Sequence, residues 1–312
     1  MKLTEIPDVP ANVRNIMCFF GNMKQALIKL HISVFLAGFT GVLGVLIGLN
    51  EGLLVWYRIF VTVIILLGLL SWKKMLSRIP LATAIRLAAI GTLIALHWVA
   101  FYGSIKYANV SIALVCFAST GLFTALLEPV FTVKRFSIVE VLLGLISLLG
   151  IALIFHFDGR YRTGILLGIA SALLNAFFSI LNKKNVNVAP PQTIMLYELG
   201  GGLLVLTACL PLYLHFSPAA YIFPTGSDWF WLLVLASLCT VLAMNLTLQA
   251  LRKVSAFTQN LSFNLEPVYG IILAFILFKD YEHLQADFYV GLGLILLSVV
   301  LQVVRIMKYR QV

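Results

Sequence analysis

Charge is scarce in this chain. Asp, Glu, Lys and Arg make up 11% of 312 residues, and apolar residues make up 61%. Soluble chains carry about 25% charged residues, so this one lacks the polar groups needed to cover a water-facing surface. The four cysteines (Cys18, Cys116, Cys209 and Cys239) form no CxxC pair, and three lie inside apolar runs. Neither a disulfide framework nor a metal site is indicated, and no cofactor is expected. There is no Walker loop, HExxH helix, paired-aspartate motif or Ser-His constellation to carry enzyme chemistry. Asp158, Asp280, Glu282, His283 and Asp287 lie in connections without metal-ligand spacing. The composition is that of an all-α integral membrane protein, and not of an enzyme.

What is present is a series of apolar runs. A bilayer core of about 30 Å takes roughly 20 residues per helix, and ten such segments can be read. They cover 30–49, 53–72, 84–104, 110–132, 137–156, 164–182, 192–213, 229–250, 255–278 and 287–306. Residues 1–29 read as a cytoplasmic tail, whose patch Ile16–Phe20 is too short for a secretory signal and lacks a cleavage site. Residues 307–312 read as a second tail. The net charge of +10 raises nucleic acid as a partner, but the basic residues sit in short connections between apolar runs, which excludes it. With the N-terminus inside, 17 of the 22 Lys and Arg fall on the cytoplasmic side and four outside, leaving Arg58 within a span. That bias places both termini in the cytoplasm, as an even span count requires.

The chain also echoes itself. Trp56-Tyr57-Arg58 in the second span matches Leu196-Tyr197-Glu198 in the seventh, and Gly144-Leu145 in the fifth matches Gly291-Leu292 in the tenth. Ser104-Ile105-Lys106-Tyr107 before the fourth span echoes Ala250-Leu251-Arg252-Lys253 before the ninth. Two halves of five spans each, 30–156 and 164–306, must enter the membrane in opposite senses. Ten helices in two inverted five-helix repeats, with substrate held between them near mid-membrane, is the expectation.

The stretch from His97 through Trp98, Phe101, Tyr102 and Ser104 to Ala108 resembles the third-span ending of the EamA family, in the drug/metabolite transporter superfamily. Leu265-Glu266-Pro267-Val268-Tyr269 resembles that family's proline-containing motif, and Arg58 fits its second span. The resemblance runs over residues 30–306. It implies a ten-helix secondary transporter of small metabolites such as amino acids or amines, acting as an exporter in a bacterial cytoplasmic membrane. The fourth span departs from the ninth: Ser119-Thr120-Gly121 stands where the ninth has Leu265-Glu266-Pro267, and Glu128-Pro129 follows two turns later.

Each ionisable group inside the bilayer costs at least about 2.5–3.5 kcal/mol and needs a reason. Arg58 reads either as an anchor for a substrate carboxylate or as a snorkelling side chain, and Glu198 as a cation or proton site or as a helix-contact residue. Direct pairing of the two is not expected, because they enter from opposite faces. Gln259, Ser262 and Glu266 share a helical face at i, i+3, i+7, and Pro267 frees the carbonyl of Phe263. Asn264 accompanies them, and Glu266 reads as a substrate contact or a proton-coupling group. His97 and Trp98 read as an aromatic cavity wall, while Tyr102 reads as a belt residue at the interface. Asn245 and Gln249 read as helix–helix hydrogen-bonding groups, and Glu140 and His31 as residues close enough to span ends to reach water. Glu128 and Pro129 read as a gate or a loop-positioning pair, and Gly44-x-x-x-Gly48 as packing. The run Gly200-Gly201-Gly202 reads as a hinge one turn from Glu198. The expected partners are a small-molecule substrate, the lipid bilayer and protons, with oligomeric state left open. The competing classes are a non-transporting scaffold or receptor, which would tolerate loss of Arg58 and Glu266, and a membrane-embedded enzyme.

Overall fold

The computed structural model describes residues 11–74, 77–154, 161–266, 268–269 and 286–309. Among them there are helices and no strands. In chain order these are α1 (Ala11–Leu46), α2 (Glu51–Trp72), α3 (Leu81–Tyr107), α4 (Val110–Phe131), α5 (Ile138–Ile154), α6 (Arg162–Asn185) and α7 (Pro191–Phe216). Then come α8 (Gly226–Leu251), α9 (Ala256–Phe263) and α10 (Ala286–Tyr309). Eight of the described helices are long and apolar enough to cross a membrane, and α5 is a shorter apolar helix. The first helix begins well before the expected residue 30, and Met23–Leu46 within it is long and apolar enough to cross a membrane. Pro267 and most of the expected ninth span beyond Tyr269 lie outside the described residues.

Inside a bilayer every backbone group must find a partner in the protein, so the helix ends are closed by side chains. Asn50 caps α2 by accepting from Leu53 N, Asn109 caps α4 by accepting from Ile112 N, and Ser255 caps α9 by accepting from Thr258 N. Pro191 occupies the first position of α7, where a missing N–H is harmless. Thr225 and Asp228 form a reciprocal capping box on α8. Asp228 does more than cap. Its Oδ1 accepts from Gly48 N at 2.9 Å and its Oδ2 from the Tyr221 hydroxyl at 2.9 Å. The α1–α2 turn is thereby tied to the start of α8.

Helix packing crosses the two halves of the chain throughout. The helices α2, α4 and α5 pack on α7, α9 and α10, their counterparts in order. Several further pairs come as exchanges: α1 on α8 with α6 on α3, α3 on α7 with α8 on α2, and α4 on α6 with α9 on α1. These main cross-half pairings recur when the halves are swapped. Two apolar clusters result, one built mainly on α2, α3, α7 and α8, the other on α1, α4, α5, α9 and α10.

The closest approach is between α3 and α7. A Cβ on Gly91 would strike the backbone of Glu198, one on Gly201 would strike Ala88, and one on Gly202 would lie 2.8 Å from Gly91 O. Small residues at a membrane interface let helices come this near. The helix α7 runs unbroken through its triple glycine, so Gly201 and Gly202 serve packing, while Gly200 faces open space. Gly201→Ala should therefore lower stability by about 1–3 kcal/mol, measured as a fall in thermal unfolding midpoint in detergent. Gly200→Ala should leave that midpoint unchanged or slightly raised. Unchanged turnover in Gly200→Ala would remove the hinge expectation.

Candidate functional site

Arg58 is seven residues into α2 and only 2% exposed. Its Nε donates to Thr240 Oγ1 at 2.9 Å, its Nη1 to the Tyr102 hydroxyl at 3.2 Å, and its Nη2 reaches the Cys239 carbonyl at 3.5 Å. Its guanidinium carbon lies 3.8 Å above the centre of the Trp98 ring. Hydrogen bonds to a charged group contribute about 1.5–3 kcal/mol each, and a desolvated cation–π contact about 2 kcal/mol. Together these exceed the insertion cost of an intramembrane arginine, so Arg58 is held inside with no salt bridge among the described residues.

The acceptors for Arg58 come from an irregularity in α8. Residues Ser237–Leu242 form a π-helical turn, in which one extra residue is accommodated and the usual α ladder is broken. The Thr240 hydroxyl bonds back to Leu235 O, five residues earlier, at 2.8 Å. Arg58 meets both that hydroxyl and the neighbouring carbonyl. The turn supplies the acceptors, and the guanidinium satisfies backbone that the turn has loosened.

Arg58 faces a cavity of about 110 Å³ enclosed by α1, α2, α3, α4, α6, α8, α9 and Glu266. Glu266 lines the same cavity, with its Oε1 accepting from Thr40 Oγ1 at 3.2 Å. Gln259, 4% exposed, lines it as well, and its Oε1 has no partner. On another side His97 is fixed through Nδ1 by Ser171, the carbonyl at 2.9 Å and the hydroxyl at 2.8 Å. Trp98, Phe101, Phe117, Phe178 and Phe263 form the apolar wall, and Asn175 adds an amide. Hydroxyls complete the lining: Ser33 donates to Ala243 O at 2.9 Å and shares a hydrogen bond with Thr247. The site thus has one cation, one carboxyl, a histidine and an aromatic surface.

Five expected site residues meet here: Arg58, His97, Trp98, Gln259 and Glu266. Three do not line the cavity. Ser262 turns back on its own helix to donate to Thr258 O at 2.9 Å, and Asn264 donates to Ser147 on α5 at 2.7 Å. Glu198, at the position in α7 that Arg58 has in α2, is 0% exposed where α7 meets α3, with the Asn182 amide as the neighbour of its carboxyl.

Tyr102 is not a belt residue: it is 0% exposed and holds Arg58. Glu140 does not reach water either. It is buried and joined to Lys134 at 2.5 Å and Arg305 at 3.3 Å. Asn245 accepts from Gln192 on α7 at 3.1 Å and Gln249 from Lys29 on α1 at 2.7 Å, the interhelical bonding expected of them.

Glu128 proves to be a cap. Its two oxygens accept from Ala256 N and Phe257 N, each at 3.1 Å, and Lys134 pairs with it at 2.8 Å. A carboxylate is favoured at a helix N-terminus by the unpaired amides and the helix dipole. The end of α4, with Pro129 inside its last turn, is thus fixed to the start of α9.

The EamA-like transporter family profile matches residues 24–156 and again 162–304. The chain belongs to that family. The two matches divide this EamA chain into the halves across which its helices pack. No curated protein matches it, but 28 solved chains do. One crystal structure aligns with a TM-score of 0.70 at 15% identity, over 88% of this chain and 96% of its own. That likeness is one of fold.

Thr40, Ser33 and Thr247, which line the cavity, and Thr240, which holds Arg58, are the positions that sequence reading passes over, because a hydroxyl in an apolar helix ordinarily bonds to its own backbone. Thr240→Val in this EamA protein should cost about 1.5–3 kcal/mol, read as a lower unfolding midpoint. An unchanged midpoint would show that the π-helical turn persists without its arginine contact. At the cap, Glu128→Gln keeps one acceptor oxygen and should be milder than Glu128→Ala, which strands both amides and leaves Lys134 with Glu140 alone. Circular dichroism melting of the two variants side by side tests that ordering.

Proposed function

We propose that this EamA protein is a secondary-active exporter of small zwitterionic or amine metabolites, amino acids foremost, working by alternating access. The observation that carries the reading is a buried guanidinium and a buried carboxyl facing one small cavity between the two halves. A guanidinium has five N–H donors, and three atoms of Arg58 are engaged by the protein. The remaining donors suit a substrate carboxylate. Glu266 has one oxygen bonded to Thr40 and its other free for an ammonium group. The phenyl and indole wall takes an apolar side chain or a cation.

A closed apolar cavity of about 150 Å³ admits benzene, so about 110 Å³ in this half-open cavity suits a small metabolite. Ten helices in two inverted repeats are the proposed architecture, and the helix pairings that recur between the halves support that plan. The Lys and Arg bias supports a bacterial cytoplasmic membrane protein with both termini inside. Export is the direction the family resemblance implies. Protons are the proposed coupling ion, with Glu266, the carboxyl that lines the cavity, as the carrier.

Reconstituted proteoliposomes challenged with pooled amino acids, amines and carboxylates at two pH values test this. Uptake or current from one pool should appear, and Glu266→Gln should abolish its dependence on a pH gradient while leaving counterflow exchange. Loss of binding in Arg58→Gln with normal folding should accompany it. Counterflow silent for every pool would overturn the reading.

A further inference from the structure

Away from the cavity, a second groove of about 490 Å³ lies between the first turns of α3 and the last turns of α6. Arg86 and Lys184 stand at its mouth, with Asn185, Ile90, Leu93 and Leu181 along its floor. Both cations are exposed, and neither has an ion-pair partner among the described residues. The carboxylates that pair with cations are Glu128 and Glu140, and they are taken by Lys134 and Arg305. Asp228 is engaged by Gly48, Tyr221 and Thr225. Glu51, Glu198 and Glu266 are buried. Two like charges facing one groove repel each other unless an anion lies between them.

We propose that this groove binds an anionic phospholipid, with its phosphate between Arg86 and Lys184 and an acyl chain over Ile90, Leu93 and Leu181. The shape favours a lipid over a free anion. The charges sit at the helix ends, and the floor continues inward as apolar surface for about 10 Å, seven residues of α3 at 1.5 Å each. Leu96, one turn deeper on α3, is exposed and prolongs the track. Basic pockets between membrane helices recognise anionic headgroups in this way. The groove is also a seam between halves, since α3 belongs to the first family match and α6 to the second. A lipid seated there contacts both, so the anionic lipid content of the membrane bears directly on how they move. This inference does not depend on the substrate reading.

Native mass spectrometry of the full chain in detergent, titrated with phosphatidylglycerol or phosphatidylcholine, tests the proposal. The wild type and the control K73Q/K74Q should retain one phosphatidylglycerol. R86Q/K184Q should bind it about 30-fold more weakly, and R86K/K184R should recover it. Ala89→Trp, which fills the groove with both charges intact, should also lose it, and serves if the charge variant fails to fold. Equal loss in K73Q/K74Q and R86Q/K184Q would assign the binding to general surface charge and overturn the proposal. So would equal retention of phosphatidylcholine, or displacement of the lipid by glycerol phosphate at matched concentration.

Discussion

A buried guanidinium organises the centre of this molecule. Arg58 has no carboxylate bonded to it, so its charge is spread over a hydroxyl, a phenol, a carbonyl and an indole face. Each of those partners comes at the expense of regular structure or of packing freedom. Tyr102 must be wholly buried, Trp98 must lie flat against the cation, and α8 must depart from α-helical geometry over one turn. Three helices are thereby fixed around one side chain. The cavity wall is rigid where its cation is, which is what a binding group needs if its donors are to be pre-aimed.

The second constraint is that backbone ends meet at mid-protein and need partners. Glu128 meets two amides of α9 and a lysine at once, and Asp228 does comparable work at α8. Both carboxylates join elements distant in sequence, so polar links at helix ends hold the halves of the bundle together around the polar cavity between them. The glycine contacts of α3 and α7 do the same job without polarity, by letting two backbones touch.

Most of the helix order is legible in the sequence, because apolar runs of bilayer length admit few other readings. The site is legible where it uses groups that are expensive in a membrane: Arg58, His97, Gln259 and Glu266 stand out for their polarity, and the cavity gathers them. Glu198 stands out equally and lies elsewhere. Polarity marks a residue as needing a reason, and packing decides which reason. Thr240 and Cys239 leave no trace, since a π-helical turn has no residue signature. Tyr102 misleads because a tyrosine near a helix end is more often interfacial than buried. Glu128 and Glu266 precede prolines alike in the sequence, yet the first lies against helix amides and the second against a hydroxyl.

The helix pairings recur when the halves are exchanged, but their extent does not, and the glycine contact of α3 with α7 has no counterpart between α8 and α2 among the described residues. The two ends of the bundle are accordingly closed by different side chains. Asp228 with its amide and phenol fastens one end, and Glu128 with Lys134 fastens the other. Opening either end would break one small polar clasp of a few hydrogen bonds, built on a lysine at one end and a phenol at the other.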